Sequence, residues 1–142
     1  MKNVHIINLE MIMRKIDKII VHCTATPLDT SFASIKAYHV RDLGYKDIGY
    51  HYLINKLGVV LPGRPLEDIG AHCRGYNECS IGIALIGGQY RFDFTFQQIV
   101  SLRNLVRKLC KDYNLSFDNV LPHYKFASYK SCPQFDVQNL IC

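Results

Sequence analysis

The sequence predicts an α/β fold, a single domain with a central mixed β-sheet flanked by helices on both faces. Short segments rich in β-branched and apolar residues predict strands, and one long stretch with apolar residues at helical spacing predicts a helix. These elements follow one another without regular βαβ repetition, so the sheet is expected to be mixed. The length of 142 residues, of which 49% are hydrophobic, is that of one globular domain. We therefore expect residues 1–142 to form one domain, with residues 1–17 as an N-terminal extension.

The first predicted strand is the segment KIIVHC, from Lys18 to Cys23, which the turn-forming residues TATPLD follow. Because side chains alternate along a strand, His22 and Cys23 are expected to face opposite sides of the sheet. The next segment, FASIKAYHVRDLG, is predicted to be a helix that ends at Gly44. Its apolar positions are Phe32, Ile35, Tyr38 and Leu43.

Three further strands are predicted in the middle of the chain. The segments GYHYLIN and GVVLPG read as two strands joined by the turn NKLG. On the first of these, Tyr50 and His51 are expected to face opposite sides, so only one of them can face a given cleft. The segment SIGIALIGG is a continuous apolar run, which is typical of a strand buried on both faces.

Two helices are predicted in the C-terminal part of the chain. The clearer one runs from Thr95 to Tyr113, and its start is marked by a capping box between Thr95 and Gln98. Its apolar stripe consists of Ile99, Leu102, Val106, Leu109 and Tyr113. A last short helix is expected to begin at Pro133, because proline is favoured at the first helical position. This helix is expected to direct Phe135, Leu140 and Ile141 inward.

The composition excludes several classes of function. The net charge of +5 is scattered along the chain, without a basic run or an aromatic-interleaved basic motif, so no nucleic-acid binding is expected. No window approaches the roughly 20 apolar residues of a membrane span, and the N-terminal segment lacks a cleavage site, so neither a membrane anchor nor a secretory signal is expected. Among the six cysteines, Cys73 and Cys79 could form a local disulfide or remain reduced thiols in a loop.

Three of the six histidines lie at or near the ends of apolar segments, where protein scaffolds usually place ligands and catalysts. These are His22, His72 and His123. A catalytic zinc site needs three protein ligands and an open fourth position for water. His22, His123 and Cys132 would supply such a set, although their spacing alone also fits two satisfied core histidines and a core cysteine.

The surroundings of Cys132 favour a thiolate, which is the form of cysteine that binds metals. Cys132 directly precedes the predicted helix start at Pro133, so its sulfur is expected at the positive end of a helix dipole. Lys130 lies two residues away, and in an extended segment its ammonium group would project to the same side as the sulfur. Both features favour the interpretation of Cys132 as a metal ligand over that of a core cysteine.

Five stretches of the chain carry a resemblance to a known family. They are IIVHCTAT, DIGYHYLI, GRPLEDIGAHCRGYNECSIGIALIGG, TFQQIVSLRNLVRKL and PHYKFASYKSCPQFD, and together they cover about residues 18–137. In this order they resemble the zinc-dependent N-acetylmuramoyl-L-alanine amidases of the type-2, peptidoglycan-recognition-protein superfamily, and the phage members in particular. The resemblance implies a hydrolase that cleaves the amide bond between N-acetylmuramic acid and L-alanine in peptidoglycan.

The resemblance also implies roles for individual residues. His22, His123 and Cys132 would hold Zn²⁺, and Tyr50 and Lys130 would form the catalytic pair. The segment GAHCRGYN would line the groove for the glycan and its stem peptide, with His72 and Asn77 as the substrate contacts. His123 and Cys132 lie one residue further apart than in the phage members that the chain resembles, so the loop between them is expected to bulge if both are to reach one metal ion.

Three alternative functions remain open at this point. The domain could be a peptidoglycan-binding module without lytic activity, although the complete set of His22, His123 and Cys132 argues against this. The resemblance to phage members also brings in a phage RNA polymerase as a partner that the domain could regulate. Finally, the absence of a signal peptide suits an intracellular amidase that trims recycled muropeptides as well as a lytic enzyme that reaches the cell wall after release.

Overall fold

The computed structural model describes residues 14–141, so most of the predicted N-terminal extension lies outside the described residues. Within this range no helix combines the length and the apolar character that a membrane crossing requires.

Five strands form one mixed sheet in the order β3-β2-β4-β1-β5. Strand β1 is parallel to both β4 and β5, β2 is parallel to β4, and only β3 runs antiparallel to its neighbour β2. The strands are β1 (Lys18–Cys23), β2 (Tyr52–Ile54), β3 (Val60–Pro62), β4 (Ser80–Leu85) and β5 (Val120–Pro122). The predicted mixed sheet is therefore confirmed, and the hairpin between β2 and β3 lies at one of its edges.

Strands β4 and β1, in the interior of the sheet, are buried because helices cover the sheet on both faces. Every residue of β4 is buried, as the continuous apolar run predicts. On one face, Ile19, Val21 and Cys23 of β1 join a large apolar cluster that includes the long helix. On the other face, Ala84 of β4 packs in a second cluster with Ile35 of the first helix. The prediction of helices on both faces is confirmed.

The long helix α2 (Phe96–Tyr113) begins at Thr95, as predicted. The Thr95 hydroxyl accepts a hydrogen bond from the Gln98 backbone N–H, and the Gln98 side chain accepts one from the Thr95 N–H. The Gln98 amide also donates to the carbonyls of Ile54 and Ile86, at 3.0 and 2.9 Å. The capping box therefore also ties the start of the helix to the ends of two strands.

The first helix differs from its prediction in its second half. Helix α1 (Phe32–Ala37) continues as one π-helical turn (Tyr38–Asp42), and Gly44 ends it with a φ of +76°. The Leu43 N–H bonds to the Tyr38 carbonyl, five residues back, which widens the turn and rotates the faces of the helix. As a result Tyr38 is 53% exposed, whereas His39 is buried.

The last helix begins at Val137, so the predicted start at Pro133 is wrong. Helix α3 (Val137–Ile141) is preceded by a turn in which the Gln134 N–H bonds to the Ser131 carbonyl, and Gln134 has a φ of +75°. The Asp136 carboxylate accepts from the Asn139 N–H at 3.3 Å, which is the hydrogen bond of a helix N-cap. Aspartate can supply this bond, whereas Pro133 offers only a favourable φ, so the helix starts later. Cys132 consequently does not lie at a helix start.

The sheet also buries His51, whose pKa is lowered to about 4 by burial. Its Nδ1 atom accepts a hydrogen bond from the Gly82 N–H at 3.1 Å, and its Nε2 atom donates to the Asp68 carbonyl at 2.9 Å. The bond from Gly82 requires an unprotonated Nδ1 and therefore a neutral ring. Because the folded pKa lies below the unfolded value of about 6.5, the stability from neutral His51 is fully present above about pH 6.5 and is lost progressively as the pH falls from there to about 4.

We therefore expect His51 to account for a loss of about 2 kcal/mol in the free energy of unfolding between about pH 7 and about pH 5. Urea unfolding of the wild type and of His51→Gln at both pH values measures this contribution. The variant is expected to be less stable at about pH 7 but to lose about 2 kcal/mol less on acidification. Equal losses in the two proteins would show that His51 does not titrate in this range.

Candidate metal centre

Two histidines meet at the carboxyl edge of the sheet because of the register between β1 and β5. Val21 lies opposite Pro122 in this parallel pair, and the next residues along the two chains are His22 and His123. Carboxyl ends of parallel strands meet at one edge, where α/β proteins usually bind ligands. The two imidazole rings are tilted towards each other with centroids 4.4 Å apart.

The segment after His123 returns Cys132 to the same point. It starts with a 3₁₀ turn (His123–Lys125) and closes on itself through a hydrogen bond from the Tyr124 N–H to the Cys132 carbonyl, at 3.0 Å. The Cys132 sulfur accepts a hydrogen bond from the backbone N–H of Cys23, the last residue of β1, at 2.7 Å. These two hydrogen bonds anchor Cys132 at the end of β1, beside His22.

His22, His123 and Cys132 fit a metal ion. Their ligand atoms all lie within 4.8 Å of one another. Tetrahedral zinc with N and S ligands holds its ligand atoms roughly 3.3–3.8 Å apart, so small side-chain movements are sufficient. Two imidazoles and one thiolate are ligands that zinc prefers, and His123 and Cys132 are only half buried, which leaves the cleft side for a fourth ligand.

The electrostatic surroundings keep the two imidazoles neutral. Burial lowers the pKa of His22 well below its ordinary value, and burial together with the nearby charge of Lys130 lowers the pKa of His123. Neutral imidazole is the form that binds metals. For Cys132, a hydrogen bond with the Cys23 side chain and burial raise the pKa of the thiol. The prediction that a helix dipole lowers this pKa is wrong, and metal binding must displace the thiol proton.

Tyr50 lies next to the three candidate ligands. Its ring centroid is 5.2 Å from that of His22 and 5.5 Å from that of His39. Burial raises the pKa of Tyr50 above its ordinary value, so the phenol stays protonated and can act as a hydrogen-bond donor. His51, on the opposite side of the chain as expected, instead packs near His72 with a centroid distance of 5.8 Å.

Lys130 lines the same cleft. Its side chain is exposed, and its ammonium group lies 5.5 Å from the centre of the Tyr129 ring. Cys132 lines this cleft as well. The cleft has a volume of about 1110 Å³, which exceeds that of a single small ligand and suits an extended one.

His72 and Asn77, the predicted substrate contacts, also line the cleft. His72 is 9% exposed, and its Nδ1 atom lies 2.8 Å from His22 Nε2. The Asn77 side-chain oxygen accepts hydrogen bonds from the backbone N–H groups of His72 and Cys73, at 2.8 Å each. Both residues therefore hold the protein's own groups, and direct contact with substrate stays a prediction.

The structure adds residues that the sequence did not single out. The backbone N–H of Cys23 holds the Cys132 sulfur, and the Ser80 hydroxyl lies 3.3 Å from His72 Nε2. Neither role has a local signal, because the partners are remote in the sequence. Cys73 and Cys79 are both free thiols, so the alternative of a local disulfide is not realised.

Comparison with known proteins supplies an independent line of information. The sequence pattern of the family N-acetylmuramoyl-L-alanine amidase matches residues 13–135. The endolysin of Escherichia phage T7 is 37% identical over 129 residues, which are 86% of this chain and 83% of the endolysin.

Solved structures agree with this match. The N-acetylmuramoyl-L-alanine amidase LysC from Clostridium intestinale is similar with a TM-score of 0.79 and 29% identity, over 91% of this chain and 84% of that chain. Peptidoglycan recognition protein LE, solved in complex with a monomeric diaminopimelic acid-type peptidoglycan, is similar with a TM-score of 0.73 and 25% identity, over 85% of this chain and 75% of that chain.

Proposed function

The chain belongs to the N-acetylmuramoyl-L-alanine amidase family, whose reaction cleaves the amide bond between N-acetylmuramic acid and L-alanine in peptidoglycan, and from that premise we propose that it works with Zn²⁺ held by His22, His123 and Cys132. The observation that carries the proposal is the convergence of one sulfur and two imidazole nitrogens within 4.8 Å at the wall of a large cleft. This set is the ligand number and type of a catalytic zinc site.

Hydrolysis of an amide needs an activated water and stabilisation of the negative oxygen that forms on the carbonyl carbon. When bound, Zn²⁺ supplies a Lewis acid for the carbonyl and a more acidic water as nucleophile. The protonated Tyr50 phenol donates a hydrogen bond to the carbonyl oxygen or to the attacking water, since its raised pKa makes it a poor base. Lys130 swings from the Tyr129 ring towards the substrate and places its positive charge near the developing oxyanion.

The site lies in a large, open cleft, which suits an extended polymeric substrate. The cleft is lined by the three ligands and also by His39, Tyr45 and Arg74. We place the muramoyl and L-alanine units at the three ligands and the stem peptide along this lining, with Asn77 among its contacts. The endolysin relatives favour the intact cell wall as the target, reached after release of the protein.

Metal removal and product analysis test this proposal. A chelator is expected to abolish cleavage of purified peptidoglycan, and added zinc is expected to restore it, because both the Lewis acid and the acidic water are lost with the metal. Cleavage should release new alanine amino groups without new reducing sugar ends. Reducing ends without amino groups would indicate a glycosidase and contradict the family's reaction for this chain.

Two of the remaining alternatives can be separated by the same assay. Preference for soluble anhydro-muropeptides over intact sacculi would favour a recycling amidase, and the reverse preference would favour a lytic one. The phage RNA polymerase stays a predicted partner, and a pull-down against that polymerase tests it.

A further inference from the structure

A chain of three hydrogen bonds connects the Tyr76 carbonyl to His22 through Ser80, at the start of β4, and His72. The Ser80 hydroxyl donates to the Tyr76 carbonyl at 2.7 Å, and the Ser80 oxygen lies 3.3 Å from His72 Nε2. His72 Nδ1 in turn lies 2.8 Å from His22 Nε2. A serine hydroxyl has one proton, and a carbonyl can only accept, so the Ser80 proton is committed to Tyr76.

The hydrogen bond from Ser80 to Tyr76 determines which ring nitrogen carries the proton in His72 and in His22. Since Ser80 can only accept from His72, His72 carries its proton on Nε2 and presents an unprotonated Nδ1. His22 must then donate from Nε2 to that Nδ1. In neutral His22 the remaining nitrogen, Nδ1, is left with a lone pair, and this is the atom that can bind a metal.

The His72 ring is held in place by the backbone around it. A Cβ atom on Gly82 would lie 2.5 Å from His72 Cγ, and a Cβ on Gly70 would lie 2.7 Å from its Cδ2 atom. Real Cβ atoms do not approach so closely, so the two glycines form a slot that fits the flat ring. The Asn77 side-chain oxygen accepts a hydrogen bond from the His72 backbone N–H and so fixes the backbone of His72. The position of the ring is therefore built into β4 and the loop before it.

We propose that His72 is a positioning residue, which holds His22 in the Nε2-protonated tautomer and thereby selects His22 Nδ1 as the metal ligand. The metal part of this inference rests on the proposed zinc site. Both ring nitrogens of His72 serve protein atoms, so the ring acts on the reaction through His22 and not by binding the substrate. Partners of this kind typically change metal affinity by about 10- to 100-fold.

Long-range ¹H–¹⁵N spectra of the histidine rings test the tautomer directly, without any metal. In the metal-free wild type, His22 is expected to show a protonated Nε2 and an unprotonated Nδ1, and zinc should then shift the Nδ1 signal. A proton on His22 Nδ1, or loss of the Nε2 proton when zinc binds, would overturn the proposal.

Two variants of His72 separate positioning from mere packing. His72→Leu removes the acceptor and is expected to weaken zinc binding by about 10- to 100-fold in a chelator competition. His72→Asn places an amide oxygen near the former Nδ1 atom, so it should recover most of the affinity and the His22 tautomer. Equal affinities in the two variants would refute the proposal.

Ser80→Ala provides a test that does not depend on the folding of the His72 variants. It removes the acceptor for His72 Nε2–H, so the spectra should show His72 and His22 as mixtures of both tautomers. If His72 and His22 kept their wild-type tautomers in Ser80→Ala, the proposed link from Ser80 through His72 to His22 would be contradicted. A wild type with the expected His22 tautomer that binds no zinc would support the tautomer assignment and refute the zinc site, so the two failures can be distinguished.

Discussion

Replacement of Cys132 by serine is expected to abolish both zinc binding and peptidoglycan cleavage. The hydroxyl keeps the shape of the side chain and can still accept from the Cys23 N–H, but it is a poor zinc ligand. The site then retains only two imidazoles. The loss of zinc affinity should exceed the roughly 100-fold that loss of an outer partner costs. Metal analysis of the purified variant and release of alanine amino groups from sacculi measure the two effects.

The matched control is Cys110→Ser, which makes the same chemical change on the buried face of α2. Cys110 is 6% exposed and packs in the large apolar cluster, away from the cleft. This variant should lose stability but keep one zinc ion per chain and near wild-type activity once folded. If Cys132→Ser retained stoichiometric zinc and wild-type rates, Cys132 would not be a ligand.

Four of the five strands and the long helix could be predicted because their signals are local, whereas the short strand β5 was not predicted. The apolar run of β4 and the capping box at Thr95 are complete within a few residues, and the structure reproduces both. The start of the last helix was predicted wrongly because two local signals compete there. Pro133 suits a first helical position, but the Asp136 cap and the turn at Gln134 place the start at Val137.

The candidate site depends on contacts between remote segments, which spacing alone does not determine. Nothing local in VHC or LPHY indicates that Val21 pairs with Pro122, yet this register brings His22 and His123 together. The resemblance to the amidases supplied that information, because proteins of one fold pair the corresponding strands in the same way. The hydrogen-bonded link from Ser80 through His72 to His22 could not be predicted from the sequence. The space that Gly82 leaves for the His72 ring forms only when the loop folds over β4.

Removal of the Lys130 charge is expected to lower kcat while zinc binding stays intact. In Lys130→Met the aliphatic stem remains, but the ammonium group that would meet the oxyanion is gone. Well-placed oxyanion contacts contribute about 10²–10³-fold in kcat. Because Lys130 is exposed and has to leave the Tyr129 ring, we expect the lower end, a loss of about 100-fold. Initial rates on a soluble muropeptide give kcat and KM separately.

Whether the Lys130→Met variant changes kcat or KM shows how Lys130 acts. Peptidoglycan stems carry carboxylates, so a lysine that only attracts substrate would change KM and lose its effect at high salt. A lysine that stabilises the oxyanion would change kcat at every salt concentration. Lys125→Met is the matched control, since Lys125 is an equally exposed cation in the turn after His123. A change in KM alone, or equal effects in both variants, would assign Lys130 to substrate attraction and leave Tyr50 as the protein's own donor to the oxyanion.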